Sequence, residues 1–208
     1  MSRELELLEE AVKLLKEKES RDVVECSKGT ADKVELSTLA PGEVFKIGEH
    51  DFIVLKQSNE QTMVISKGFM AEDVVFDENV RDYNKSSLKE LIESEIQPLI
   101  EKEVGAGNII EHEVDLTSVD MQNEFGSCKC KVRSITFDEA REFNDLLVNE
   151  DLNDWWWTLT PWSTEKRGWQ YSIAVVSSSG NICRCYCNYN LGVRLFCIFS
   201  SSIFESEE

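Results

Sequence analysis

The chain has 208 residues, of which 41% are hydrophobic and 30% are charged, a composition typical of globular rather than disordered proteins. Its formal net charge of −18 disfavours direct binding to nucleic acid or anionic lipid, because the phosphate groups would repel it. The sequence has no apolar run long enough for a membrane span and no apolar core of a secretory signal near its first residue. We therefore expect a protein that does not associate with membranes.

An amphipathic helix is predicted for residues 1–20. The a and d heptad positions of this segment hold four apolar side chains: Leu5, Leu8, Val12 and Leu15. Such a stripe suits either a homo-oligomer contact through residues 3–19 or packing against the chain's own domain, and both interpretations stay open. Residues 21–35 show no clear period and are predicted to form a linker.

A single domain is predicted for residues 36–204, and it begins with a meander of three strands. Short runs rich in β-branched and aromatic residues lie at 44–47, 52–57 and 62–66. A polar, glycine-containing segment separates the first two runs and predicts a hairpin turn.

The first helix of the domain is predicted over residues 88–104, where apolar side chains recur with a period of about 3.6 residues. Ser86 or Ser87 is the expected N-cap, since a glutamate follows at capping-box spacing. Pro98 lies inside the pattern and should kink the helix, because proline lacks the N–H that an internal helical residue donates.

A second helix is predicted to begin after Thr136. Glu139 follows at the spacing of a capping box, in which each side chain bonds the other residue's backbone N–H. Two strands are predicted before this helix, at 111–115 and 127–134, the second because polar and apolar residues alternate there.

The C-terminal part is predicted to be mostly strand. Residues 171–177 and 182–186 are joined by a tight turn and predict a hairpin. Residues 193–199 are apolar apart from Arg194, which indicates a central strand buried on both faces. The acidic tail, residues 205–208, is expected to be frayed.

Three consecutive tryptophans precede these strands. Neighbours on a strand point to opposite faces, so Trp155, Trp156 and Trp157 cannot all belong to the core on one face. We assign Trp156 as the structural core anchor and expect at least one neighbour to line a surface. Arg194 is also assigned a structural role, since a buried charge needs a carboxylate or carbonyl partner, here expected near the tryptophans.

The chain has seven cysteines, and an odd number without a secretory signal indicates reduced thiols in a cytosol. Cys183, Cys185 and Cys187 alternate along a predicted strand and would share one face. They are interpreted as small core hydrophobes, with a zinc-binding structural domain as the alternative.

Six short motifs together point to a known family. They lie at residues 42–48, 79–91, 131–139, 156–161, 176–180 and 192–194. In this order they resemble an uncharacterised domain family of Firmicutes and their prophages, whose signature is Trp-Trp-Leu-Arg-Ser/Thr-Pro followed by Gly-Val-Arg-Pro. The chain departs from that signature at Thr158, Leu159 and Leu195, the last of which replaces the proline.

The resemblance also implies a fold. The family is similar to the C-type-lectin-like fold of formylglycine-generating enzymes and phage tropism determinants. The expected fold class is therefore α+β, with mixed, mainly antiparallel sheets and two flanking helices, besides the N-terminal helix. The cysteines do not match the reactive pair of formylglycine-generating enzymes, and the sequence has no recognised catalytic motif. We expect no enzymatic activity and no cofactor.

The favoured function is non-catalytic recognition of a protein partner by a phage or prophage protein. Lectin-like folds present a loop-rich C-terminal face, which in this chain is rich in aromatic and polar side chains suited to adaptable contacts. The predicted binding residues are Trp155, Trp157, Trp162, Trp169, Tyr171, Arg184, Tyr186, Asn188, Tyr189 and Asn190.

The alternative function is an acidic, anti-CRISPR-like inhibitor that blocks a basic nucleic-acid-binding host protein. Residues 90–124 contain ten acidic residues and one lysine, which concentrates half of the net charge in one segment. The carboxylates assigned to this acidic partner surface are Glu93, Glu95, Glu101, Glu103, Glu111 and Glu113.

Overall fold

The computed structural model describes residues 36–58, 60–167 and 171–201. The predictions for the N-terminal helix, the linker, Trp169 and the acidic tail lie outside the described residues. Those described form a mixed α+β structure dominated by antiparallel sheet, which confirms the predicted class at this level. No helix among them is long and apolar enough to cross a membrane.

Twelve strands occur in the described part of the chain. They are β1 (Val44–Ile47), β2 (His50–Gln57), β3 (Gln61–Ser66), β4 (Ala71–Val74), β5 (His112–Asp115), β6 (Ser127–Cys130), β7 (Val132–Arg133), β8 (Trp156–Pro161), β9 (Ser172–Val176), β10 (Ile182–Tyr186), β11 (Leu191–Val193) and β12 (Phe196–Ser200). The helices are α1 (Ser87–Leu91), α2 (Gln97–Val104), α3 (Phe137–Glu142) and α4 (Asn144–Leu147). A π-helical segment (Ile92–Ile96) joins α1 to α2, and short 3₁₀ turns lie at Leu36–Thr38, Tyr83–Lys85 and Ala106–Asn108.

The first sheet has the strand order β1-β2-β3-β12-β7 and is antiparallel throughout. It contains the predicted meander. An irregularity in register between Val54 and Lys56 marks a β-bulge in β2. The strands β5 and β6 form a separate two-stranded sheet, and β5 matches a predicted strand. The strand predicted over 127–134 is divided between β6 in this pair and β7 in the first sheet.

The second sheet has the order β10-β9-β8-β11-β4. Its one parallel pairing joins β11 to β8, with Gly192 opposite Trp156. The predicted hairpin forms β9 and β10. Strand β4 was not predicted, because its sequence, AEDV, is mostly polar. The strand tolerates these polar residues because it lies at the edge of the sheet.

The strand predicted over 193–199 is two strands in two sheets. The chain leaves the second sheet after β11 and enters the first sheet at β12, with Arg194 and Leu195 at the crossing. The predicted burial on both faces is correct, since Phe196 to Phe199 all lie in the core. An unbroken apolar run cannot reveal such a crossing, because both strands are equally buried.

Two hydrophobic clusters cover opposite faces of both sheets. One contains α3 and α4 side chains with Trp156 and Phe196, and the other contains the α1–α2 helical segment with Trp157 and Phe199. Side chains alternate along a strand, so neighbours on β8 and β12 enter different clusters. The sheets thus have two buried faces, which is why adjacent tryptophans can both be fully buried.

The helix starts agree with the sequence. Ser86 caps α1 by accepting a hydrogen bond from the backbone N–H of Lys89, at 3.2 Å. Thr136 and Glu139 form the expected capping box at α3. The irregularity that was expected at Pro98 takes the form of the π-helical segment just before it. Pro98 itself lies in the first turn of α2, where the helix continues.

Candidate functional site

The end of the second sheet brings together three predicted binding residues. Tyr186 on β10 pairs with Ser172 on β9, and the Ser172 carbonyl accepts a hydrogen bond from Trp162 N at 2.8 Å. The carbonyl of Tyr171 accepts from the N–H of Cys187, just beyond β10. The three strand ends therefore place Trp162, Tyr171 and Tyr186 side by side.

Tyr186 and Tyr189 form a stacked pair at this end. Their ring centroids are 6.2 Å apart and their planes differ by 20°. A turn fixes the spacing, since Tyr189 N donates to the Tyr186 carbonyl at 3.1 Å. The two side chains are 52% and 56% exposed, so the stack presents a large aromatic surface to solvent.

Tyr171 adds a third exposed ring in a strained backbone conformation. Its φ is +66°, in the left-handed region that a bulky side chain rarely adopts, at a cost of about 1–2 kcal/mol. The side chain is 44% exposed. Strain of this kind is often kept at functional positions.

Polar residues flank the three tyrosines. Arg184 is half-buried and lies two residues before Tyr186 on β10, so the two side chains share one face. Asn188 and Asn190 are exposed in the loop that follows β10. We call Trp162, Tyr171, Arg184, Tyr186, Asn188, Tyr189 and Asn190 the aromatic face.

Two tryptophans assigned to binding lie elsewhere. Trp157 is fully buried, its indole N–H donates to the Val74 carbonyl at 2.7 Å, and its ring meets Phe76 edge-on at 5.8 Å. Its assignment to a binding surface is therefore wrong, because the strand face opposite Trp156 is also core. Trp155 is half-buried and packs against the hydrophobic cluster around Trp157, at the far end of β8.

Trp156 and Arg194 lie in the core, and both are fully buried. The Arg194 guanidinium donates from Nε to the Ser66 carbonyl at 2.8 Å and from Nη1 to the Leu147 carbonyl at 2.9 Å. Its Cζ lies 5.0 Å from the centre of the Trp156 ring. Burial lowers the pKa of Arg194 to about 10, so the group stays charged at neutral pH.

Three of the six carboxylates of the proposed acidic partner surface are engaged by the chain itself. Glu93 pairs with Lys89 at 2.6 Å, Glu101 pairs with Lys131 at 3.3 Å, and Glu113 accepts from the Ser127 hydroxyl. The six residues divide between the helical segment and the region around β5.

The other three carboxylates differ in their surroundings. The side chain of Glu103 lies against the turn at Gly48, where an added Cβ would come within 3.2 Å of it. Glu95 and Glu111 are exposed. The six groups therefore do not present one continuous unpaired surface.

The cysteine triplet is graded in burial. Cys183 is exposed, Cys185 is half-buried and Cys187 is buried, so Cys183 does not serve as a core residue. The six cysteines of the described ranges are free thiols. Within those ranges, no three His, Cys, Asp or Glu side chains form a group able to hold a metal ion.

A cleft that the sequence reasoning missed lies at the opposite edge of the second sheet. It has a volume of about 410 Å³, and its walls come from the β1–β2 turn, the segment after β3, the start of β4 and the segment before β8. A smaller cleft of about 240 Å³ adjoins it, sharing Phe69, Glu72 and Asn153. We call the two together the acidic cleft, because they are lined by Glu49, Asp51, Glu72, Asp73, Asp151 and Asp154.

Phe69, which lines the acidic cleft, packs closely against β11. The ring of Phe69 lies over Gly192 of β11, where an added Cβ would come within 2.4 Å of a ring carbon. Any larger residue at 192 would displace the ring, so the glycine permits this packing. The sequence offered no signal for the cleft, because its carboxylates come from three separate segments.

Comparison with known proteins finds no match among family models, curated proteins or solved structures. The family resemblance therefore stays a prediction from the motifs.

Proposed function

We propose that this chain is a non-catalytic binding protein that recognises a protein partner through the aromatic face. The observation that carries the proposal is the exposed stack of Tyr186 on Tyr189, with the exposed Tyr171 on the adjoining strand end, where its carbonyl accepts from the N–H of Cys187. Contiguous exposed aromatic rings are uncommon on proteins without partners, and tyrosine is enriched at interaction hot spots.

The stack also lowers the entropic cost of binding. Two rings already held against each other lose little rotamer freedom when a partner covers them. The neighbouring asparagines and arginine supply hydrogen-bonding groups at the rim, as in interfaces where a few aromatic anchors are surrounded by polar contacts.

The C-type-lectin-like fold and a phage or prophage origin belong to the same proposal. Support comes from the six motifs and from the antiparallel two-sheet architecture, whose C-terminal loops carry the aromatic face. The proposal places the protein in the cytosol of a bacterial host, where its thiols stay reduced.

The test is a quantitative capture experiment with the full chain. Wild-type protein, the double variant Tyr186→Ser/Tyr189→Ser and the control Leu99→Ser/Val148→Ser are immobilised and exposed to bacterial lysate at low and high salt. Leu99 and Val148 are exposed apolar residues outside the aromatic face, so the control removes comparable apolar surface. We expect a partner that the wild type and the control retain at both salt concentrations and that the tyrosine variant loses.

Two results would contradict the proposal. The first is a set of captured proteins that does not change when the tyrosines are replaced. The second is a basic partner that is lost in high salt and on Glu95→Gln/Glu111→Gln but retained by the tyrosine variant. This second result would support the acidic inhibitor instead, because salt screens charge-driven association.

A further inference from the structure

We propose that Cys128 and Cys130 form a redox-active thiol pair, which a small peroxide oxidises to a disulfide within the chain. The pair lies on β6, in a different sheet from the aromatic face, and the inference does not depend on the function proposed for that face. It rests on the placement of the two sulfurs, an unpartnered hydroxyl beside them and a cavity next to β6.

The two sulfurs lie on the same face of β6. Side chains alternate along a strand, so Cys128 and Cys130 are buried together, at 3% and 4% exposure, while the other two residues of β6 are exposed. The two thiols hydrogen-bond to each other. Residues two apart on a strand have Cα atoms about 6.6 Å apart, within the range of about 4.4–6.8 Å that disulfides span. Because β6 pairs with β5 alone among the described strands, a small local movement can bring the sulfurs into bonding range.

A buried hydroxyl beside the pair lacks a hydrogen-bond partner. Tyr83 is 1% exposed, and its hydroxyl makes no hydrogen bond within the part of the chain that the structure describes. Burial, together with the Cys130 and Cys128 thiols, raises the pKa of this hydroxyl well above its usual 10, so it stays protonated and can donate. A buried donor without an acceptor is costly, and a thiolate or a sulfur-bound oxygen at Cys128 would supply that acceptor.

The surroundings favour the thiolate form of Cys128. The hydrogen bond from Cys130 lowers the pKa of the Cys128 thiol below its usual 9. The charges of Lys89 and Arg133 act in the same direction, against the opposing effects of burial and Glu93. The hydrogen bond between the thiols, together with burial, raises the pKa of Cys130. One thiol is thus suited to act as the nucleophile while the other keeps its proton.

A cavity next to β6 is large enough to admit a peroxide. Its volume is about 440 Å³, and its walls come from α1, the 3₁₀ turn before it and the π-helical segment after it. Asn84, in one wall, donates to the Ser127 carbonyl on β6 at 3.1 Å. Lys89 and Glu93 line the cavity and also interact electrostatically with Cys128. The cavity therefore lies beside the strand that carries the pair.

The oxidation balances with hydrogen peroxide or an organic hydroperoxide as the oxidant. The Cys128 thiolate attacks one peroxide oxygen, so an S–O bond forms, the O–O bond breaks, and the departing oxygen takes up a proton. Cys130 then attacks the oxidised sulfur, so the S–S bond forms, the S–O bond breaks, and the departing hydroxide takes the Cys130 proton. Both electrons pass from the sulfurs to the peroxide. In a reducing cytosol the disulfide would be transient.

The test is a peptide map of the full chain after oxidation. Reduced protein is treated with equimolar hydrogen peroxide, the remaining thiols are blocked with N-ethylmaleimide at timed intervals, and the chain is cleaved after glutamate. The fragment 125–139 contains Cys128 and Cys130 and no other cysteine. Its disulfide form is lighter by the two thiol hydrogens and carries no maleimide. Cys183 and Cys185 have the same spacing at a more exposed position and are the internal control, which we expect to react about tenfold more slowly.

Substitutions assign the roles within the pair. Cys130→Ser should abolish the disulfide form of fragment 125–139. Tyr83→Phe removes the unpartnered hydroxyl without breaking a hydrogen bond, so the urea midpoint should not fall, whereas disulfide formation should slow about tenfold. Cys183→Ser/Cys185→Ser should leave the rate at fragment 125–139 unchanged.

Three results would overturn the proposal. The first is a fragment 125–139 that keeps both maleimide groups while Cys183 and Cys185 are oxidised. The second is an unchanged rate of disulfide formation in Tyr83→Phe. The third is a rate that rises with low urea concentrations in proportion to the unfolded fraction, since the peroxide would then react with the unfolded chain.

Discussion

Arg133 on β7 is a buried charged residue that makes more interactions than Arg194 does. Its guanidinium donates to the Glu139 carboxylate at 2.7 and 2.6 Å and lies 4.1 Å from the centre of the Phe196 ring. Its Nε donates to His112 Nε2 at 2.8 Å. For Nε2 to accept, the histidine proton must be on Nδ1, which lies 3.2 Å from the Ile110 carbonyl. The tautomer of His112 therefore follows from its two partners.

This arrangement predicts a pH-dependent loss of stability. Burial, together with the Arg133 charge, lowers the pKa of His112 below its usual 6.5. The unfolded chain then binds a proton more readily, so the contribution of His112 is present above about pH 6.5 and is lost as the pH falls. In His112→Gln, the amide oxygen can still accept the hydrogen bond from Arg133 but does not titrate. We therefore expect the drop in Tm from pH 7.5 to pH 5.5 to be smaller in this variant than in wild type, by on the order of 2 °C.

The measurement is thermal unfolding followed by circular dichroism at both pH values. The pH range is chosen because the pKa of Glu139 is lowered from its usual 4.5, so its titration lies below the range. His50→Gln, at an exposed position on β2, is the control and should behave as wild type. An equal pH-dependent loss in His112→Gln and wild type would contradict the assignment.

At the scale of elements, the helix starts were predictable and some strands were not. A cap depends on residues within one turn, so Ser86 and Thr136 could be recognised from sequence alone. The polar edge strand β4 forms only because β11 lies beside it, more than one hundred residues along the chain. The aromatic face, like the helix caps, was partly predictable because it is local: Tyr171, Tyr186 and Tyr189 lie on or beside one hairpin of consecutive strands.

The capping box of α3 yields a graded prediction. Thr136 Oγ1 accepts from Glu139 N at 3.1 Å, and Glu139 also binds Arg133. Thr136→Val removes the cap and should lower the free energy of unfolding by about 1 kcal/mol. Glu139→Gln should cost more, because it also leaves the buried Arg133 charge without its carboxylate.

Urea denaturation measures both effects. Thr117→Val, which removes a hydroxyl from a surface loop, is the control and should change stability by less than about 0.5 kcal/mol. Equal costs for Thr136→Val and Glu139→Gln would show that Glu139 acts through the cap alone.

At the scale of the whole molecule, Arg194 shows where sequence reasoning reached and where it stopped. The sequence predicts that Arg194 needs a hydrogen-bonding partner, because it is the one charged residue in the apolar segment 193–199. Its partners could not be identified, because Ser66 and Leu147 are distant in sequence and meet only where the chain crosses between sheets. The burial of Trp157 was missed for a related reason: two buried sheet faces arise from tertiary packing, which strand periodicity does not contain.

The position of Arg194 predicts losses of stability of different size for two substitutions. Burial lowers its pKa, so the charge itself is costly to bury, whereas its hydrogen bonds to two carbonyls are favourable. Arg194→Lys keeps the charge but loses the planar fork that reaches both carbonyls. Arg194→Met leaves both carbonyls unpaired, at about 1–3 kcal/mol each, but removes the desolvation cost of the charge. We therefore expect lysine to lower the free energy of unfolding more than methionine does.

Urea denaturation at neutral pH decides between these contributions, with Arg141→Lys as the control. Arg141 is 65% exposed, makes a surface ion pair with Asp138 and lies 5.5 Å from the centre of the Phe137 ring, and lysine keeps its charge, so the replacement should cost less than about 0.5 kcal/mol. A greater loss with methionine than with lysine would mean that the Arg194 charge is net stabilising. The contact with the Trp156 ring would then contribute more than its desolvation costs, because methionine removes that cation–π contact while lysine retains a cation beside the ring.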